Sequence, residues 1–282
     1  MSLSAPLPPP QLSRGAALEL RYGTAVAAPG DADWNAQLGA LLERMSTRAF
    51  LAKPVSDEDL LSVVAAAQSA ATSSNLQAWS VVAVRDHERK TRLASLAGHQ
   101  DHILNAPLLL VFVADLARLR ALEGYTGTPV AALDCFESFV ASVIDTTLAA
   151  QNAVAAAHAL GLGSCFIGAM RDHPEQVAET LALPPETVAV FGLVVGWPDP
   201  ARASAVKPRL PAAVVLHHET YQRLDVAALD GYDTTMRHFE RQHGMGEANW
   251  SDKAAERVSG PAALSGRQRL LDAVRARGFQ LK

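Results

Sequence analysis

The chain has 282 residues, 49% apolar and 19% charged, with a formal net charge of −4. This is the composition of a soluble globular protein able to bury a sizeable core, and without a long basic run it argues against nucleic acid as a partner. Cys135 and Cys165 show neither metal-ligand spacing nor a disulfide framework, and no positive-then-apolar leader opens the chain, so a reducing, cytoplasmic setting is expected.

Residues 1–33 are rich in Pro, Ala and Gly without sustained periodicity and read as a flexible or draped extension. Leu38, Leu41 and Leu42 set the stripe of a first helix that leads into ERMSTRAF. After Pro54, Ser56 caps a second helix with Asp59 three residues on. The polar stretch ATSSNLQAW punctuates the chain before SVVAVRD, a valine-rich strand. A charged helix over 87–97 and the turn GHQDH follow. LLLVFVAD, after Pro107, is a continuous apolar run and reads as a central strand buried on both faces. EGYTGTPV reads as a mobile stretch.

From Asp134 to Leu160 neither Gly nor Pro occurs, which gives a rod of roughly 40 Å at helical rise. Apolar and small residues occupy nearly every face, so this helix is expected to be buried in a core. Asp134, Glu137, Asp145, Gln151, Asn152 and His158 interrupt it too often for a membrane span. Its alanine-rich turns allow another backbone, including that of a partner subunit, to come close. SCFIGAM reads as a strand, and Asp172 and Glu175 open a short helix that stops at Pro184-Pro185. VAVFGLVVGW reads as a second buried strand. After the loop PDPARASAVKPRLP, AAVVLHHETY reads as an edge strand, and the charged residues from about 226 onward as helical, ending in SGRQRLLDAVRARG. The alternation argues an α/β or α+β sheet layered with helices.

Serine-hydrolase, zinc-protease and Walker motifs are absent from the sequence. Gly161-Leu162-Gly163 has the glycine spacing of a dinucleotide fingerprint but ends a helix, so it reads as a helix C-cap. Gly168, just past an apolar strand, allows close approach of a flat ligand. Arg44 and Arg48 flank Ser46, and Lys207 and Arg209 flank Pro208. Arg forks and Lys point charges are the usual partners of phosphate, although each pair taken alone reads as solvated surface charge. Ser73, Ser74, Asn75 and Gln77 form a polar cluster that suits either ordinary turn chemistry or the edge of a planar heterocycle. His217 and His218 would point to opposite faces of a strand and read as structural or surface residues. Trp79, Trp197 and Trp250 read as packing residues.

The ordered segments RMSTRAF, SSNLQAW, AGHQDH, GLGSCFIGAMR, VFGLVVGWP and KPRLP resemble the flavin-dependent nitroreductase superfamily. The branch is that of the oxygen-insensitive NAD(P)H nitroreductases and NADPH–flavin oxidoreductases. The resemblance covers roughly residues 35–282, so one FMN-binding domain over 34–282 is expected, with a charged helical excursion from about 226. It implies an α+β homodimer with a central mixed β-sheet packed between helices around the long buried helix. FMN would lie at the subunit interface. Arg44, Ser46 and Arg48 would hold its phosphate from one side, and Lys207 and Arg209 from the other. Ser73, Ser74, Asn75 and Gln77 would face the ring or ribityl chain, Gln100 the pyrimidine edge, and Ile167 and Gly168 the N5 side.

Three departures stand out. Arg44-Met45-Ser46 replaces the usual His-Arg-Ser, and Ala78 replaces a Pro. Near 241–249, where the branch grips the 2′-phosphate of NADPH, only Arg241 and His243 are basic, so NADH becomes a plausible donor beside NADPH. The implied activity is ping-pong reduction of small-molecule acceptors, nitroaromatics or quinones, by hydride transfer through the flavin, with no protein nucleophile and no metal. The alternatives are a reductase supplying reduced FMN to a partner monooxygenase and a non-catalytic flavin-binding homodimer.

Overall fold

The computed structural model describes residues 12–26, 30 and 33–282. In chain order the elements are α1 (Arg14–Tyr22), α2 (Ala36–Glu43), α3 (Asp57–Gln68), β1 (Trp79–Val84), α4 (His87–Leu96), α5 (Asp101–Asn105), β2 (Leu108–Asp115) and α6 (Ala117–Thr126). They continue with α7 (Phe136–Ala159), β3 (Gly163–Ile167), α8 (Pro174–Thr180), β4 (Thr187–Gly196), α9 (Ala212–Val215), α10 (Ala228–Gln242), α11 (Trp250–Arg257) and α12 (Leu270–Ala276). Two compact units result. The larger comprises Ser46–Ser204 and Arg257–Lys282; the smaller comprises the described residues up to Met45 with Ala205–Glu256.

The larger unit is built on β2, every residue of which is buried. Side chains alternate along a strand, so Leu108, Leu110 and Phe112 meet α3 and the alanine face of α7, where Val63, Ala67, Ala149, Ala153 and Ala157 lie. Leu109, Val111 and Val113 enter the opposite layer with Leu93, Ile103, Met170 and Val177. Helices on both faces explain why the run is apolar without alternation. The strand order is β1-β2-β4-β3. The sheet was expected to be mixed, but each strand pair is antiparallel, and among the described residues the parallel pairing is the isolated bridge of Ser46 with Ser164. An apolar run covered on both faces carries no signal of strand direction.

Helix α3 begins as expected: the Ser56 hydroxyl accepts from the Asp59 N–H at 3.0 Å and donates to the Asp59 carboxylate at 2.7 Å. Helix α7 ends at Gly161 (φ +77°), with the Leu162 N–H on Ala157 O at 2.8 Å and the Gly161 N–H on His158 O at 2.9 Å. That is a Schellman cap, not a dinucleotide turn. Within the single chain the burial of α7 is one-sided. Asp145, Ala149, Ala153 and Ala157 are buried, whereas Phe136, Ile144 and Leu148 are 54%, 52% and 42% exposed. By length and composition alone α7 also qualifies as a membrane span; its alanine face is instead committed to the sheet.

Three further expectations differ. AAVVLHHETY is not a strand: Pro211 precedes the short helix α9, and Val215 and Leu216 are 66% and 57% exposed, so the apolar residues gain no sheet to bury against. EGYT completes α6, which stops at Gly127 (φ +73°). The extension expected to be flexible contains α1, capped by Ser13, whose hydroxyl accepts from the Ala16 N–H; residues 1–11, 27–29 and 31–32 lie outside the described residues. In the smaller unit, α10 supplies Tyr232, Met236 and Phe239 to a core shared with Ala205, Leu210 and Trp250.

Candidate functional site

The polar loop before β1 is held from below by one carboxylate. Asp145, 1% exposed on α7, accepts from the Thr72 hydroxyl, the Ser73 N–H at 3.0 Å and the Ala78 N–H at 3.1 Å. The Thr72 hydroxyl in turn accepts from the Gln77 N–H at 2.9 Å. Arg118 closes the other side, donating to Gln77 O at 2.9 Å and Trp79 O at 2.6 Å. Between these anchors Ser74, Asn75 and Gln77 adopt φ values of +48°, +57° and +51°. The left-handed region costs a non-glycine residue on the order of 1 kcal/mol or more, so three in four residues is strain that the anchors maintain. Ser73, Ser74, Asn75 and Gln77 are all exposed.

Elsewhere in the larger unit, Ser46 and Thr47 run along the edge of β3, with the Thr47 N–H on Ser164 O at 2.9 Å. Gly163 makes this possible, because a Cβ there would sit 2.5 to 2.7 Å from the Thr47 side chain. Arg48 is exposed beyond this contact. It lies close enough to His102 to help hold that imidazole's pKa below its ordinary value, after burial, which is the larger cause. The His102 Nε2 is buried and has no hydrogen-bond partner. Gln100, two residues earlier, is half-buried, and its carboxamide donates to Ala97 O at 2.7 Å. Ile167 closes β3, buried, and Gly168 opens the 3-10 turn Gly168–Arg171. A Cβ at Gly168 would meet nothing nearer than the Arg171 guanidinium, at 3.4 Å. The protein's own packing does not require glycine at that position.

The smaller unit brings Arg44, Lys207 and Arg209 together. The link is Arg21 of α1, which donates to Leu42 O at 3.0 Å, to Arg44 O at 2.7 Å and to Lys207 O at 3.3 Å. The Arg21 carbonyl accepts from the Arg209 N–H at 2.9 Å. Burial first, then the charges of Arg209 and Arg44, hold the Arg21 pKa below its ordinary value, so the three guanidiniums share one neighbourhood.

The nitroreductase family model matches residues 41–197, and that family's C-terminal domain model matches residues 207–282. The chain belongs to the nitroreductase family. It is similar to the FMN reductase (NADPH) of Bacillus subtilis, 38% identical over 78% of this chain and 90% of that protein. It is also similar to the NADPH-flavin oxidoreductase of Vibrio harveyi, 34% identical over 80% of this chain and 92% of that one. Among solved structures, NfrA2 of B. megaterium superposes with a TM-score of 0.83 at 34% identity, covering 88% of this chain and 99% of its own.

In this chain the two basic tail candidates already have neighbours. Arg241 forms a two-bond pair with Glu247 at 3.0 and 3.2 Å, and the His243 ring lies 4.5 Å from that of Phe239. Sequence reasoning missed Asp145, Arg21 and His102 as site-building residues. Asp145 did leave a signal, as a lone carboxylate facing the core side of an otherwise apolar helix. Arg21 left none, since its partners are backbone carbonyls, which carry no sequence.

Proposed function

We propose that this member of the nitroreductase family works as an FMN-dependent NAD(P)H oxidoreductase that reduces small-molecule acceptors, nitroaromatics and quinones among them, two electrons at a time. The observation that carries the reading is the loop Ser73–Gln77, whose exposed hydroxyl and amide groups are kept in strained conformations by a buried carboxylate. Strain of this kind, over-determined by its surroundings, collects at ligand sites. The relatives' names, FMN reductase (NADPH) and NADPH-flavin oxidoreductase, agree with it.

FMN, when bound, would supply the redox chemistry: hydride uptake from a nicotinamide and two-electron transfer to the acceptor. The chain's own residues bind and orient. Ser73, Ser74, Asn75 and Gln77 offer donors and acceptors to the ring and ribityl chain, and Gln100 to the pyrimidine edge. Gly168, with no packing reason of its own to be glycine, leaves the backbone beside Ile167 open to a flat ligand. Arg44, Ser46, Arg48, Lys207 and Arg209 are the phosphate ligands in this reading; a dianion suits guanidinium forks and an ammonium. Arg241, engaged by Glu247, is a poor dedicated partner for a 2′-phosphate, which supports NADH as a donor beside NADPH.

The exposed Phe136, Ile144 and Leu148 of α7 fall within about a third of the helix circumference at 100° per residue. An apolar face of that kind supports a homodimer through α7. Sedimentation should give about twice 29.9 kDa, and Ile144→Glu should shift it to the monomer. Two free cysteines and a reduced nicotinamide donor support a cytoplasmic setting. A second reading, favoured by the relatives named as flavin reductases, is delivery of reduced FMN to a partner monooxygenase; it requires free FMN to outpace quinones and nitroaromatics as acceptor. The deciding experiment is an absorbance spectrum of the purified protein followed by anaerobic NADH and NADPH. A flavin band that bleaches supports the oxidoreductase reading, and the absence of any band after incubation with FMN overturns it.

A further inference from the structure

Arg21 lies on the last turn of α1, outside the residues matched by either family model. Its guanidinium gathers carbonyls from two distant segments of the smaller unit. Nε and Nη2 both reach Leu42 O, Nη2 also reaches Arg44 O, and Nη1 reaches Lys207 O. The Arg209 N–H returns to Arg21 O. One side chain thus ties the residues entering Arg44 to the loop carrying Lys207 and Arg209. Arginine alone offers five donors in a rigid planar fork; a lysine ammonium on a flexible stem cannot serve the same spread of acceptors.

The same loop is fixed from further directions. Gly23 (φ +70°) ends α1 so closely that a Cβ there would fall 2.4 Å from Thr235 Cγ2 and 3.0 Å from Pro208 Cγ. The Tyr232 hydroxyl donates to Pro208 O at 3.0 Å. The like charges of Arg21, Arg44 and Arg209 repel one another, a cost that a bound anion relieves and that the free protein must hold in check by hydrogen bonding.

We propose that Arg21 is a positioning residue for the flavin phosphate: by engaging the carbonyls of Leu42, Arg44 and Lys207 it holds Arg44, Lys207 and Arg209 ready for the anion. Helix α1, within the N-terminal extension, is then part of the cofactor site. This inference rests on the FMN reading given above.

The test compares FMN with riboflavin, which has the same ring and ribityl chain but no phosphate. Both are titrated into the full-length apoprotein by quenching of flavin fluorescence, for the wild type, Arg21→Gln and Arg21→Lys. Wild type should bind FMN more tightly than riboflavin. R21Q should weaken FMN about 30-fold while leaving riboflavin within about twofold, as expected for loss of several charge-assisted hydrogen bonds. R21K, which keeps the charge and part of the bonding, should fall between them and keeps the test open if R21Q does not fold. In R21Q/R209A the FMN loss should be less than the product of the two single losses, because Arg21 acts through Arg209. Equal loss of both flavins, or no loss of FMN, overturns the role of Arg21. A wild-type protein that binds riboflavin as tightly as FMN overturns the phosphate-site reading itself, which is a different result.

Discussion

Two stretches presented as ligand contacts are built in opposite ways. The loop Ser73–Gln77 is organised by an anion: Asp145, buried on α7, collects N–H and hydroxyl donors. The segments around Arg44 and Lys207 are organised by a cation: Arg21 collects backbone carbonyls. Each charge satisfies main-chain groups of the opposite polarity. The choice of sign has a consequence for the ligand. A carboxylate beneath the loop suits contacts to a neutral ring and ribityl chain, whereas a guanidinium adds to the positive field where a phosphate would bind.

That contrast can be broken first at Asp145. Asp145→Ala strands two backbone N–H groups and a hydroxyl in a buried place and releases three left-handed residues. Folding stability should fall by about 3 kcal/mol, read by urea unfolding, and FMN and riboflavin affinities should fall together, unlike the FMN-selective loss expected at Arg21. Gly163→Ala comes next. Its Cβ would press on Thr47 and push the Ser46–Arg48 edge from β3, costing about 2 kcal/mol and weakening FMN more than riboflavin. Ser56→Ala removes the cap of α3 and should cost about 1 kcal/mol in Tm or urea midpoint without touching the affinity of either flavin.

The smallest effect expected is a pH dependence from His102. Its pKa is lowered in the folded chain, by burial and then by Arg48, so the folded state binds the proton less readily than the unfolded one. Stability should therefore decline as pH falls below the ordinary value of 6.5 and through the folded value, while above 6.5 the group contributes no slope. His102→Gln should flatten the profile of urea stability between pH 7 and 5, and an unchanged slope would remove His102 as its source.

Much of this architecture was legible in the chain. The burial of β2 on both faces, the Ser56 cap and the Gly161 stop each follow from local residue chemistry, and six ordered segments carried the family. The edge strand at 212–221 failed because two adjacent valines look the same whether or not a sheet edge is available to receive them. The sequence of α7 carries a related ambiguity: an apolar face reads identically whether it meets its own sheet or a second subunit.

The sequence by itself determined most of the helices and strands, those at 123–126 and 212–215 excepted, because periodicity, caps and glycines act over a few positions. It also brought forward the polar and basic residues offered as flavin contacts. Only the tertiary structure decided what holds them. Asp145 reaches the loop at 72–78 across about 70 positions of chain, and Arg21 reaches Lys207 across 186. Arg21 acts on backbone carbonyls, which carry no sequence, and Asp145 shows in the sequence only as a lone carboxylate on an apolar helix, with nothing to say which loop it anchors.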